Sequence, residues 1–379
     1  MPRPDIDPAS VTARTNQFTL NIEEHAMPAT RPTAAVLVAT MVTIAAPSAL
    51  AQDRPLRYDT EAGTVNGIPV SQGRFNAALR YYAEWSISPA LFDRELTGEI
   101  DLNDDAWQPG NDLSAVLASH DDAMSRLIEA TRLDRCDFGV TYEQGVHALL
   151  PHLGTLRATA RLLLADSRRL RAEGEFDAAA ARIAAALRLA RQSTGDGVLI
   201  SSLVGTAVAS AASAEGHRLI AQTPISRRAA AEMIEAIDTV LGEDPARMRA
   251  SLASEQTVFV AWLRAEFDPH AIAADPDLIR SYLREIGWPE DTYQGQFSEN
   301  PEAWKLALAQ LDLAYDEQRR ALDGRDPSVE LRAFNQKLEL GEYGPLAPIL
   351  MPAIAKAVRS VEQMETTTLE LRDALVLML

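Results

Sequence analysis

An all-α protein is what this sequence predicts, built as a helical bundle or as an irregular array of antiparallel helical hairpins. Three observations lead there. Apolar and small side chains recur at steps of four and three along Leu156, Ala160, Leu163, Ser167 and Leu170, and again along Phe176, Ala180, Ile183, Leu187 and Ala190. Glycines punctuate the periodic stretches at Gly174 and Gly242. Alternation of strand type is confined to the neighbourhood of Thr64–Val70.

The first 26 residues are polar and irregular, and Met27 then opens a different kind of segment. Arg31 supplies a short cationic region, Ala34 to Ala46 is an uncharged apolar run, and Ala49-Leu50-Ala51 offers small residues at the positions a signal peptidase reads. Residues 1–51 are therefore expected to act as an export signal, with translation starting at Met27 and cleavage between Ala51 and Gln52. The alternative is an uncleaved membrane anchor, because Thr33 to Ala51 approaches spanning length; Thr and Pro interrupt it. A cleaved signal places the protein in the periplasm or outside the cell, with no stable membrane span afterwards.

Residues 52–111 read as an extended lead-in and loop, 112–268 as a core helical domain, and 269–379 as a C-terminal helical region packed on that core. Phe75, Leu79 and Tyr82 hint at a first helix. Asp112-Leu113-Ser114 opens a helix expected to run through Ile128. The two stripes on either side of Gly174 form an antiparallel hairpin. Val198 to Ala214 carries no charge and no polar face, so it is expected at the centre of the bundle. Ser226 is placed to cap the next helix, and Gly242 to end it. Asp244-Pro245 should start another, with Met248, Leu252, Glu255, Phe259 and Trp262 on one stripe. Further helices are expected over 301–322, 329–340 and 353–379.

Lys and Arg total 36 against 54 Asp and Glu, a net charge of −18. That balance argues against nucleic acid, whose phosphates need a basic face, and against anionic lipid. Cys136 is the single cysteine, so no internal disulfide can form. Arg157, Arg161, Arg168, Arg169 and Arg171 spread around their helix and read as a solvated face.

Cys136, His147 and His152 are the one local group of soft ligands, types that suit zinc or copper. Their spacing is poor, because Pro151 breaks any helix between the histidines. The competing expectation is a buried cysteine and a packing histidine. Glu255 is the other candidate. A carboxylate on an apolar stripe is desolvated and its pKa rises, unless an arginine pairs with it; the pair is the expected outcome, and a general acid or base the alternative. His217, near the end of the uncharged central helix, is expected to be a capping or interface histidine. The chain holds no G-x-S-x-G, no G-K-[ST], no H-E-x-x-H and no C-x-x-C. No cofactor is expected.

Two resemblances follow from these residues. Gly174-Glu175-Phe176 with Ala179 and Ala186 resembles the turn and second helix of one tetratricopeptide repeat; Asp166 and Ser167 depart from that pattern, and no second copy follows at its period. Cys136-Asp137-Phe138, Thr141 to Gly145 and Leu149 to Arg157, leading into the helix before Gly174, are similar to a family of uncharacterised exported helical proteins of planctomycete-type bacteria. That likeness implies a secreted helical protein and brings no activity with it. The function expected from the whole is a non-catalytic module of the cell envelope that binds a protein or peptide. The alternative is an envelope enzyme, possibly hydrolytic in chemistry, with an unfamiliar site.

Overall fold

A computed structural model describes residues 58–59, 64–65, 68–69, 76–142, 150–268, 271–272, 275, 277–285, 301–351 and 354–379. The expected export signal, the Ala51–Gln52 cleavage point and His147 lie outside the described residues. Three two-residue strands, β1 (Tyr58–Asp59), β2 (Thr64–Val65) and β3 (Ile68–Pro69), pair antiparallel in that order. Among the described residues, everything else of regular structure is helical, and the fold is all-α.

The scaffold is a stack of long helices around α5 (Pro151–Ala172), α6 (Phe176–Ser193) and α7 (Leu199–Gln222). The hairpin between α5 and α6 turns at Gly174, whose φ of 85° suits a residue without Cβ. The Glu175 N–H donates to the Leu170 carbonyl at 2.9 Å and closes the turn. Ala179, Ala180, Ala184, Ala185 and Ala186 are all buried, so the backbones of neighbouring helices approach closely. Gly205 marks one such close approach: a Cβ there would lie 2.7 Å from the Ala190 carbonyl oxygen of α6. α7 is surrounded as its composition demands, with α5 and α6 on one side and the C-terminal helix on another.

Before this stack come α1 (Ala77–Ile87), a short turn of 3-10 helix (Pro89–Phe92), α2 (Arg94–Gly98), α3 (Asn111–Ser119) and α4 (Asp121–Thr131). The single helix expected from Asp112 through Ile128 is broken at His120. Its φ/ψ of −112°/23° is non-helical, and its Nδ1 lies 2.9 Å from the Val116 carbonyl oxygen, which also accepts the His120 N–H at 3.2 Å as the last bond of α3. Asp121 and Asp122 then begin α4 at the end where negative charge is favoured.

After the stack come α8 (Arg227–Leu241), α9 (Met248–Glu255), a π-helical turn (Gln256–Val260) and α10 (Ala261–Glu266). Ser226 caps α8 as expected, its Oγ accepting the Ala229 N–H at 3.2 Å. The helix expected to start at Pro245 begins late. Ala246 and Arg247 have φ of 54° and 51°, and the π turn then interrupts the stripe after Glu255. α11 (Leu278–Glu285), α12 (Pro301–Leu322), α13 (Pro327–Glu339), α14 (Ala347–Leu350) and α15 (Ile354–Val376) complete the chain. α15 packs along α7 and α8, where His217 Nε2 lies 3.1 Å from the Thr367 carbonyl oxygen. Among the described residues, no helix is long and apolar enough to cross a membrane.

Candidate functional site

His152 is the second residue of α5 and is 2 % exposed. Its Nε2 lies 2.6 Å from Asp196 Oδ2, and that carboxylate is 4 % exposed. Ser201, in the first turn of α7, donates from Oγ to the same oxygen at 3.2 Å. Phe138 stacks on the imidazole at 4.2 Å, and the Tyr142 hydroxyl donates to the Asp196 carbonyl. One aspartate thus ties the start of α5, the turn after α6 and the start of α7. Hydroxyl activation would need Ser201 against the histidine; it bonds the carboxylate instead.

Cys136 is half-buried in the segment after α4. Burial first, then the carboxylates of Asp196 and Asp137, push its thiol up, which leaves little thiolate for nucleophilic attack or metal binding. Cys136 and His152 therefore share a neighbourhood, with Asp196 between them. Among the described residues, no three His, Cys, Asp or Glu side chains gather where they could hold an ion.

Glu255 ends α9 with no arginine beside it among the described residues, so the expected ion pair is replaced by another contact. Its Oε1 accepts the Leu199 N–H at 2.8 Å, at the start of α7, where Val198 offers no capping side chain. The carboxylate serves as the missing cap from a distant helix. Burial raises its pKa and the Leu199 hydrogen bond lowers it; burial wins, and the group is pushed up to about 7.

A third site was not singled out from the sequence. The segment from Glu99 to Gly110 crosses from α2 to α3 without regular structure. Asp101 Oδ1 accepts the Asn103 N–H at 3.0 Å and Asp104 Oδ1 the Ala106 N–H at 2.8 Å, so local Asx turns shape it. Arg168, fully buried on α5, holds it from below. Its Nη1 donates to the carbonyls of Asp104 and Trp107, both at 2.8 Å, and its Nη2 to Leu102 at 3.1 Å. Its Nε donates to Glu215 of α7 at 3.0 Å. The guanidinium also lies 5.6 Å from the centre of the Trp107 ring. Arg161 donates to the Ile100 carbonyl, and Arg218 bonds Asp105 from α7. Above the loop lies an open cleft of about 300 Å³, lined by Glu99, Trp107, Gly110, Asn111, Asp112 and Leu113.

No family model, curated protein or solved structure matches this chain.

The arginines expected on a solvated face thus divide in the structure. Arg168 is 0 % exposed, and Arg169 with Arg182 encloses the buried Asp166 at 2.8 and 2.7 Å. The available sequence signal was position: Arg168 falls four residues after Leu164, which is itself buried.

Proposed function

We propose that the protein is an exported, non-catalytic helical module of the cell envelope that binds a protein or peptide partner through the loop from Glu99 to Gly110. The observation that carries this reading is the fully buried Arg168, whose guanidinium is spent on three carbonyls of a surface loop. Burying a charge is costly, and here it fixes the shape of an irregular segment that faces solvent. A loop of that length held rigid on a helical scaffold suits recognition. The residues with chemistry to offer support the same reading: His152, Asp196 and Ser201 are bound to one another across three elements, and Glu255 caps α7. Cleavage after Ala51 would deliver this scaffold to the periplasm or beyond.

Affinity capture from envelope extract tests it. The protein is expected to retain one partner in stoichiometric amount, and a variant with glycine at Asn103, Asp104, Asp105 and Ala106 to lose it. Equal capture by both proteins would overturn the assignment to the loop.

One observation favours a second reading, an envelope hydrolase. Burial pushes the Glu255 carboxyl up to about 7, and the residue precedes a π turn, a feature often found at functional sites. It requires turnover of ester or peptide substrates that Glu255→Gln abolishes.

A further inference from the structure

We propose that the cleft between Glu99 and Asp112 binds an organic cation, the ammonium or guanidinium head of a lysine or arginine side chain that the partner presents. This rests on the binding-module reading above and names the chemistry of what the cleft takes.

Four features of the cleft point to that ligand. The first is room: the open cleft of about 300 Å³ can admit a basic side-chain arm. The second is unspent charge. Among the described residues, neither the Glu99 nor the Asp112 carboxylate has an ion-pair or hydrogen-bond partner, whereas Asp105 on the same loop is paired with Arg218. The third is the aromatic wall. Trp107 lines the cleft, and the fully buried Arg168 guanidinium 5.6 Å from its ring centre helps fix the indole in place. An indole is the best side-chain partner for a cation. The fourth is rigidity: the carbonyls of Leu102, Asp104 and Trp107 are held from below, so a ligand meets a wall already in place.

The sign of the site needs deciding, because the cleft also contains the start of α3. Gly110 gives that helix no capping side chain, so its first N–H groups are free donors. A helix N-terminus is worth about half a positive charge, against two full carboxylates. The carboxylates win, and the cleft is a cation site. Buried Leu113 supplies an apolar floor for an aliphatic stem.

The test is fluorescence anisotropy of a labelled pentalysine peptide titrated with the purified protein. Saturable binding is expected, lost when every lysine of the peptide is acetylated, and reversed by excess butylammonium, the isolated head group. The double variant E99Q/D112N should weaken it about tenfold. Since the whole protein is acidic, E339Q/E342Q removes the same charge beside α13 and should leave binding within about twofold. Equal weakening by both double variants would show bulk attraction only and overturn the site, as would absence of saturable binding. If pentalysine fails to bind while partner capture still depends on residues 103–106, the cation assignment falls and the binding module stands. If both fail, both fall.

Discussion

Arg168 and Glu215 form an ion pair at 2.9 Å with side chains 0 % and 2 % exposed, joining α5 to α7 in the core. Glu215 is met also by Arg218 at 2.8 Å, and Arg168 spends its other donors on the Glu99–Gly110 loop. The pair couples the packing of the scaffold to the shape of a surface feature.

Removing one side of this pair leaves a buried charge without its main partner. Arg168→Met is expected to cost about 3–5 kcal/mol in denaturant unfolding. Amides of 102–107 should exchange faster, as their carbonyl anchors are gone. Arg168→Met with Glu215→Leu should recover a large part of the loss. A single variant as stable as wild type would show that the pair does not form.

Glu255 gives a pH dependence with a definite sign. Its pKa rises from 4.5 in the unfolded chain to about 7 in the folded protein, so between those values the folded state binds more protons. Stability from this group is full below pH 4.5 and is lost as pH climbs through 7. The upper bound is about 3 kcal/mol. Glu255→Gln retains an oxygen for the Leu199 N–H and does not titrate. The difference between wild type and variant, followed by unfolding from pH 4.5 to 8, should shift toward the variant as pH rises. A flat difference would place Glu255 in water.

Cys136 and His152 should part company on substitution. His152→Ala leaves the buried Asp196 without its closest partner and a void under Phe138, at a cost of about 3 kcal/mol. Cys136→Ala should cost about 1 kcal/mol. With its thiol pushed up by burial, native Cys136 should react with a disulfide reagent at pH 8 at least about a hundredfold more slowly than in denaturant. Labelling at the unfolded rate would contradict the packing around it.

Ser226→Ala removes the oxygen that accepts the Ala229 N–H and should cost about 1 kcal/mol, while Ser226→Asn, which keeps a capping oxygen without setting a second carboxylate against Asp177, should cost little. Equal losses in both variants would assign the role of Ser226 to something other than the cap.

Local signals account for what the sequence made legible. Steps of four and three placed α5 and α6, Gly174 marked their turn, Ser226 and Gly242 bounded α8, and the absence of a polar face put α7 in the centre. Features that depend on partners distant in the chain were not legible. Glu255 was visible as a carboxylate on an apolar stripe, but its partner is a backbone N–H 56 residues earlier. Arg168 looked like one of several surface arginines because Glu215 and the loop carbonyls lie 47 and more residues away. The helix break at His120 is a change of backbone conformation with no Gly or Pro to mark it in the sequence. Residues 99–110 fall in the stretch that reads as lead-in and loop, and the role of that loop depends on the buried guanidinium beneath it.

Hydrogen exchange with and without the captured envelope partner tests the central claim most directly. The expected result is slowed exchange in 99–112 at the loop and the start of α3, with the amides around Leu199 and Glu255 unchanged. Protection centred on 196–202 and 251–256, with 99–112 unaffected, would contradict it.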